Sequence, residues 1–178
     1  GWRDEKRPFT FTSLRDWDHL EFTIKIYSDH DGVTNQLGNL EAGDALLIDD
    51  PWGTIQYKGK GTFIAGGAGI TPFIAILRDL EKKGEVAGHR LIFSNRTERD
   101  IILREDWEAM DGLECLFVVT DEPSSRLPHG PVDKAFLRNN ISDFGQHFYV
   151  CGPDRMVADI NGALKELGAQ PDALVFEK

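Results

Sequence analysis

The stretch Thr62-Phe63-Ile64-Ala65-Gly66-Gly67-Ala68-Gly69-Ile70-Thr71-Pro72-Phe73 restricts the possible folds of this chain more than any other. Thr62 to Ala65 is an apolar run fit for a buried parallel strand, and it breaks into glycines before turning helical. Thr71 is placed to N-cap that helix, and Pro72 suits a first turn because it has no N–H to leave unpaired. Phe73, Ile74, Ile76, Leu77 and Leu80 follow at helical spacing and give one face for packing on a sheet. Strand, glycine turn and helix start together make an anion site: glycines let a phosphate approach the backbone, and the helix start offers unpaired N–H groups. The same residues equally suit a tight strand-to-helix connection, and the motif by itself does not separate the two.

A chain of 178 residues holds one large domain or two small ones. Its formal charge of −10 argues against nucleic acid, whose phosphates demand a basic surface, while leaving room for local basic patches. No apolar run reaches the roughly 20 residues of a membrane-spanning helix, and the opening Gly1-Trp2-Arg3-Asp4-Glu5-Lys6-Arg7 is too polar for a signal peptide. Cys115 and Cys151 fit neither a metal spacing nor a disulfide framework, and the five histidines are scattered. The expectation is a cytoplasmic monomer with no metal, no nucleic acid partner and no membrane partner.

Residues 1–57 read as all-β. Phe9 to Thr12, Leu20 to Tyr27, Ala45 to Ile48 and a short run to Tyr57 have strand character, with a short helix over Thr34 to Leu40. Four short strands are too few to close a barrel. The chain also lacks an initiator Met, so upstream strands, or a partner, are expected to complete the sheet. Lys58-Gly59-Lys60-Gly61 marks the domain boundary. Beyond it strands alternate with helices: strands at Thr62–Ala65, Arg90–Ser94, Glu114–Thr120, His147–Cys151 and Ala173–Phe176, helices at Pro72–Lys82, Ile101–Met110, Val132–Asn139 and Asp154–Leu167. Such alternation implies a parallel sheet covered on both faces, with ligands outside the carboxyl ends of the strands.

Three more clusters carry chemistry. After the second of these strands come Asn95-Arg96-Thr97-Glu98-Arg99-Asp100, where a dinucleotide fold faces the adenosine ribose. Ser94 and Arg96 there suit a 2′-phosphate, hence NADP; a solvated loop with Asp100 capping the next helix is the alternative. Cys151-Gly152-Pro153-Asp154-Arg155-Met156 ends a strand with a small thiol that could border a planar ring, or that is a buried structural cysteine. Arg7-Pro8-Phe9-Thr10 sets a cation, an aromatic face and a hydroxyl along one strand, suited to phosphate and ring stacking or to an amphipathic strand alone.

The order of the motifs is more telling than any one of them: Arg7-Pro8-Phe9-Thr10-x-x-Ser13, Gly32-Val33-Thr34, Leu40-x-x-Gly43-Asp44-x-Leu46, Pro51-x-Gly53, the glycine turn, Cys151-Gly152-Pro153-x-x-Met156 and Phe176-Glu177. This series resembles the ferredoxin–NADP reductase family along essentially the whole chain. The resemblance implies an α+β protein of two domains. Residues 1–58 would be part of an antiparallel flavin-binding β-barrel without its N-terminal strands, and residues 59–178 an α/β parallel-sheet NAD(P)-binding domain. It implies that Arg7 binds the flavin phosphates, Phe9 stacks on the isoalloxazine and Thr10 bonds near flavin N5. Ile24 and Lys25 would read the ring edge, and Gly32, Val33 and Thr34 form the pyrophosphate turn, which favours FAD over FMN. Gly67, Ala68, Gly69 and Thr71 match the NAD(P) pyrophosphate loop, and Ser94 and Arg96 the ribose loop. Cys151 and Glu177 flank the nicotinamide, with Gly152, Asp154 and Met156 beside them. Thr10, Cys151 and Glu177 are the expected catalytic set.

The resemblance implies hydride transfer from NADPH or NADH to FAD, then single electrons to flavodoxin, ferredoxin or another redox acceptor. The segment Asn95-Arg96-Thr97-Glu98-x-Asp100-Ile101 is similar to the cytochrome b5 reductases, which prefer NADH. An acidic chain is less well matched to acidic ferredoxins and flavodoxins unless a local basic patch greets them, so a haem protein, a quinone or an oxygenase component stands beside them as acceptor. The rival from another class is a regulatory module that binds flavin or nucleotide without turnover. The intact Arg7, glycine turn and Cys-Gly-Pro motif argue against it.

Overall fold

Apolar residues on both sides of each strand demand cover on both faces of the sheet, and the arrangement follows from that requirement. The computed structural model describes residues 5–27, 31–51, 53, 55–170 and 174–176. Its elements run α1 (Val33–Leu37), β1 (Gly61–Gly66), α2 (Thr71–Lys83), β2 (His89–Asn95), α3 (Arg104–Ala109), β3 (Leu113–Val119), α4 (Lys134–Asn140), β4 (His147–Cys151), α5 (Asp154–Glu166) and β5 (Leu174–Phe176). The five strands form one parallel sheet in the order β3-β2-β1-β4-β5.

Alternate residues of each strand serve different cores. Phe63, Ala65, Leu91, Phe93, Tyr149 and Cys151 pack with Phe73, Ile74 and Leu77 of α2 and Trp107 of α3. Ile64, Ile92, Phe148 and Val150 pack with Leu137 of α4 and Ile160 and Leu164 of α5. Leu77 is wholly buried, a burial worth about 2 kcal/mol for such a side chain. The helix α2 stops where Gly84 turns left-handed at φ 68° and Glu85 N donates to Leu80 O at 2.9 Å.

The parallel-sheet half matches the sequence expectation element by element, with boundaries moved by a few residues. The helix expected from Ile101 begins only at Arg104, because Leu103 takes a left-handed conformation at φ 54° and a 3-10 turn occupies Glu98–Asp100. Thr71 is not the N-cap of α2. A 3-10 turn over Gly67–Ile70 feeds straight into the helix with Ile70 already helical, so Thr71 sits inside and its hydroxyl donates to Ala68 O at 3.0 Å.

Before β1 the antiparallel character is reduced, among the described residues, to a single bridge between Phe11 and Phe22. A strand gains its ladder only from a neighbour, and here the neighbours meet at one point. Among the described residues, the expected strands at Ala45 to Ile48 and up to Tyr57 form no ladder, and the helix expected over Thr34 to Leu40 is α1, over Val33–Leu37. Every exposed large apolar side chain among the described residues lies in this part, from Phe9 to Tyr57.

Polar contacts dock this part on the outer face of α2. Arg78 Nη1 donates to Thr12 O at 2.7 Å and to Glu21 Oε1 at 2.5 Å, while Thr12 Oγ1 donates to the same carboxylate at 2.7 Å. The Arg78 guanidinium also lies 5.3 Å from the Trp17 ring, and Lys82 pairs with Asp16. The Arg78 guanidinium, then the Thr12 hydroxyl, hold the Glu21 carboxyl below its usual range. A carboxyl depressed in the folded state contributes stability that is complete above the unfolded value, near 4.3, and is lost as pH falls through the folded one. Acidification below about pH 4 is therefore expected to release this docking before the sheet unfolds. Amide exchange would show it: Thr12 N, which donates to Glu21 O at 2.8 Å, should lose protection while β1 amides keep theirs. Simultaneous loss in both would refute it.

Candidate nucleotide site at the carboxyl edge of the sheet

The strand order reverses between β1 and β4, so the turns leaving their carboxyl ends part in opposite directions and open a crevice. The glycines set how closely those turns approach. A Cβ on Gly69 would lie 2.3 Å from Cys151 O, and one on Gly66 would lie 2.4 Å from Met156 Sδ. Gly152 backs onto Gly66 in the same way, its added Cβ 3.1 Å from Gly66 Cα. The turn after β1 and the turn after β4, far apart in sequence, are thus one packed unit. Gly67 differs: it takes φ 53° and a Cβ there would meet nothing within 4 Å. That backbone faces open space at the start of the 13-residue helix α2.

Gly67, Ala68, Gly69 and Thr71 are therefore brought together with Cys151, Gly152 and Met156, and Asp154 opens α5 beside them. The Cys151 thiol is buried. Cys115 is elsewhere: its thiol donates to Trp107 O at 3.4 Å, and burial, then Glu108, push it up to about 11, so it is no nucleophile at neutral pH.

Along the same edge, β2 and β3 end in an acidic cluster. Asp121 N donates to Arg96 O at 2.9 Å, which sets the two loops side by side, and Arg96 Nε donates to Asp121 Oδ2 at 2.7 Å. Arg96, then Thr120, hold the Asp121 carboxyl below its usual range. Glu122 accepts from Glu98 N at 2.7 Å. Glu98 itself accepts from Arg104 at 2.7 Å and Ser125 at 2.5 Å, and Ser125, then Arg104, lower its carboxyl. Asp100 closes a capping box with Thr97 on the 3-10 turn and does not cap α3, whose N-cap is Leu103. Ser94 is buried on β2.

Lys25 reaches this edge from the N-terminal part, its Nζ 3.0 Å from Asp100 Oδ1. Burial pushes the Asp100 carboxyl up, but hydrogen bonds from Thr97 and Lys25 outweigh it and hold it low. The remaining N-terminal candidates show local geometry only. Gly32 is the N-cap of α1, leading into Val33 and Thr34, with Gln36 N donating to Gly32 O at 3.1 Å. Arg7 donates to Lys6 O at 2.7 Å and lies 3.9 Å from Glu5, Phe9 is 36% exposed, and Thr10 and Ile24 are half-buried. Glu177 lies outside the described residues, as does Ala173 of the last expected strand.

Two features escaped the sequence reading. Asp121 and Glu122 follow β3 and meet Arg96 and the Glu98 N–H, respectively, only through strand pairing. Asn95 is buried, 4% exposed, with neither side-chain polar atom bonded to protein. A buried amide without a partner costs about 1–3 kcal/mol, and such costs gather at functional edges. The one sequence signal is an amide following the apolar run Leu91-Ile92-Phe93 at the end of a strand. Among the described residues no group of three or more His, Cys, Asp or Glu could hold a metal, and no helix is long and apolar enough to cross a membrane.

A family model for the oxidoreductase NAD-binding domain matches residues 63–162. The chain is 30% identical over 204 aligned residues to NADH-cytochrome b5 reductase 1 of Bos taurus, covering 93% of this chain and 67% of that protein. It is 30% identical over 185 residues to NADH-cytochrome b5 reductase 2 of Mycosarcoma maydis, covering 94% of this chain and 52% of that one. Among solved structures it superposes on the flavohem-like FAD/NAD binding domain of nitric oxide dioxygenase from Vibrio cholerae with TM-score 0.85 at 21% identity, over 96% of this chain and 76% of that one, a likeness of fold. The chain spans about half to two thirds of the length of these curated relatives.

Proposed function

This chain belongs to the ferredoxin–NADP reductase family of NAD(P)H-binding oxidoreductases, and we propose that it works as an NADH-dependent FAD reductase serving a single-electron acceptor. The observation that carries this reading is the contact of the glycine turn with the Cys151 turn at the switch point, which leaves Gly67 facing open space. That cradle fits a dinucleotide: Gly67, Ala68, Gly69 and Thr71 would hold its pyrophosphate, Ser94 and Arg96 its ribose. Cys151, Gly152, Asp154, Met156 and Glu177 would border the nicotinamide. Residues 1–58 would form the flavin part and residues 59–178 the nicotinamide domain. In the flavin part Arg7, Phe9, Thr10, Ile24, Lys25, Gly32, Val33 and Thr34 would hold FAD; the accessible Phe9 ring and the side-chain-free cap at Gly32 suit it.

A bound flavin supplies what no side chain has, since it takes up a hydride and returns two electrons one at a time. The chain's own residues align two rings and keep water away. The buried Cys151 thiol screens one ring face, and the Thr10 hydroxyl orients the other ring. Thr10→Val is expected to slow flavin reduction roughly tenfold, the loss of about one hydrogen bond, while flavin stays bound. An unchanged stopped-flow reduction rate would remove Thr10 from this role.

The acidic cluster supports NADH over NADPH, because Arg96 is already paired and Glu98, Asp100 and Glu122 crowd the place of a 2′-phosphate. A haem protein is the acceptor that the relatives' names point to; ferredoxin or flavodoxin, themselves acidic, match this acidic surface less well. The test is anaerobic mixing of the full-length flavin-loaded protein with NADH and, separately, NADPH. Bleaching of the flavin band at least about tenfold faster with NADH is expected. A protein that takes up no flavin, or whose flavin neither nucleotide reduces, would move the reading to a binding module.

A further inference from the structure

Between the N-terminal part and β1, residues 57–59 are held by two strands of the sheet. The Tyr149 ring is fully buried, and its hydroxyl makes three hydrogen bonds with this segment. It accepts from Lys58 N at 2.9 Å and Gly59 N at 3.0 Å, and it donates to Gly59 O at 2.7 Å. Burial pushes the Tyr149 phenol up, so it keeps that proton at neutral pH. Tyr57 stacks on the same ring at 5.9 Å and 18°. Its hydroxyl meets His89 Nε2 at 2.9 Å, while His89 Nδ1 donates to Val86 O at 2.8 Å, which leaves Nε2 as the acceptor. Three of the four polar backbone groups of Lys58 and Gly59 are therefore satisfied by one side chain, which is more than a connection of its length requires.

The strand that provides this hydroxyl also ends in the nicotinamide-side turn. Tyr149 and Cys151 lie on one face of β4, in one core, two residues and roughly 7 Å apart. We infer that Tyr149 is a positioning residue: by fixing where the chain leaves the flavin part, it sets how the flavin meets the nicotinamide bordered by Cys151. The inference rests on the reductase reading above. The reacting rings must be held within fractions of an ångström, and a connection that swings would spread that distance without touching either binding site.

Tyr149→Phe removes the hydroxyl and keeps the ring. In the full-length flavin-loaded protein it is expected to leave flavin affinity and the KM for NADH within about twofold of wild type. The limiting rate of flavin reduction should fall about tenfold, with a weaker long-wavelength charge-transfer band on nicotinamide binding. Trypsin, which cuts after lysine, should cleave at Lys58 or Lys60 about tenfold faster, the opening expected when a hydrogen-bonded latch is lost. Tyr57→Phe, which leaves the buried Tyr149 in place, should show the same pattern more weakly and covers a Tyr149→Phe chain that does not fold. Normal tryptic resistance would overturn the latch, and faster cleavage with an unchanged reduction rate would overturn its positioning role. A wild-type protein whose flavin NADH does not reduce overturns the reductase reading, and the positioning role with it, while tryptic resistance still reports the latch.

Discussion

Asp121→Asn is expected to raise the efficiency of NADPH relative to NADH by about tenfold or more, mostly through KM. Asp121 is the carboxylate that occupies Arg96, 2.7 Å away, and Arg96, then Thr120, hold it below the usual carboxylate range. Under the proposed placement, a 2′-phosphate would enter beside Arg96 and bring roughly −1.5 to −2 charges with it. In the native protein it would face Asp121 directly and the Glu98, Asp100 and Glu122 carboxylates around it. Asparagine keeps the shape of the side chain and removes one charge. Arg96 is then released for a charge-assisted contact worth about 1.5–3 kcal/mol, the source of the factor of ten or more. Because Arg96 is 79% exposed, its pairing adds little to folding, so the melting temperature should scarcely move. Added salt should shrink the gain, since exposed charges are screened. Steady-state kinetics with both nucleotides at two ionic strengths would check this. An unchanged ratio would mean that the adenosine ribose lies elsewhere.

The contrast between what was legible in the sequence and what was not follows range along the chain. The β1 turn and α2 were readable because apolar run, glycines, Pro72 and helical spacing are all local signals. The left-handed Leu103 was not, because nothing in Ile101-Ile102-Leu103 distinguishes a turn from a helix start. Phe9 to Thr12 and Leu20 to Tyr27 carry the alternation of strands, yet alternation specifies a face and not a neighbour, and among the described residues only Phe11 and Phe22 pair. The pairing of Arg96 with Asp121 and of Lys25 with Asp100 depends on chain topology, with partners 25 and 75 residues apart. Ser94 and Arg96 alone suit NADP; the Asp121 partner after the next strand pairs with Arg96 and underlies the proposed preference for NADH. Motif order conveyed the family, but the charges proposed to choose the nucleotide sit where spacing along the chain says nothing.

Gly69→Ala and Gly67→Ala should separate the two services of the glycine turn. At Gly69 the new methyl would lie 2.3 Å from Cys151 O, 2.5 Å from Cys151 C and 2.6 Å from Gly152 Cα, all of them backbone atoms. No rotamer relieves that clash, so the β1 turn must lift away from β4 although Ala65 and Cys151 are paired in register below it. Overpacking that must move backbone costs about 3 kcal/mol, and a domain of this size should melt about 6–12 °C lower. Nicotinamide nucleotide affinity should fall as well, since the displaced turn carries the proposed pyrophosphate amides. At Gly67 the methyl meets nothing within 4 Å, and only the positive φ of 53° is penalised, for about 1 kcal/mol. That methyl would nevertheless stand where the phosphates must come closest to the backbone. Gly67→Ala should therefore melt only about 2–4 °C lower and still lose tenfold or more in affinity, the size of a lost charge-assisted contact. Calorimetric melting and NADH titration of both variants would measure each effect separately. Equal losses of stability would refute the packed contact between the turns, and a Gly67→Ala protein that binds NADH normally would move the pyrophosphate away from this turn.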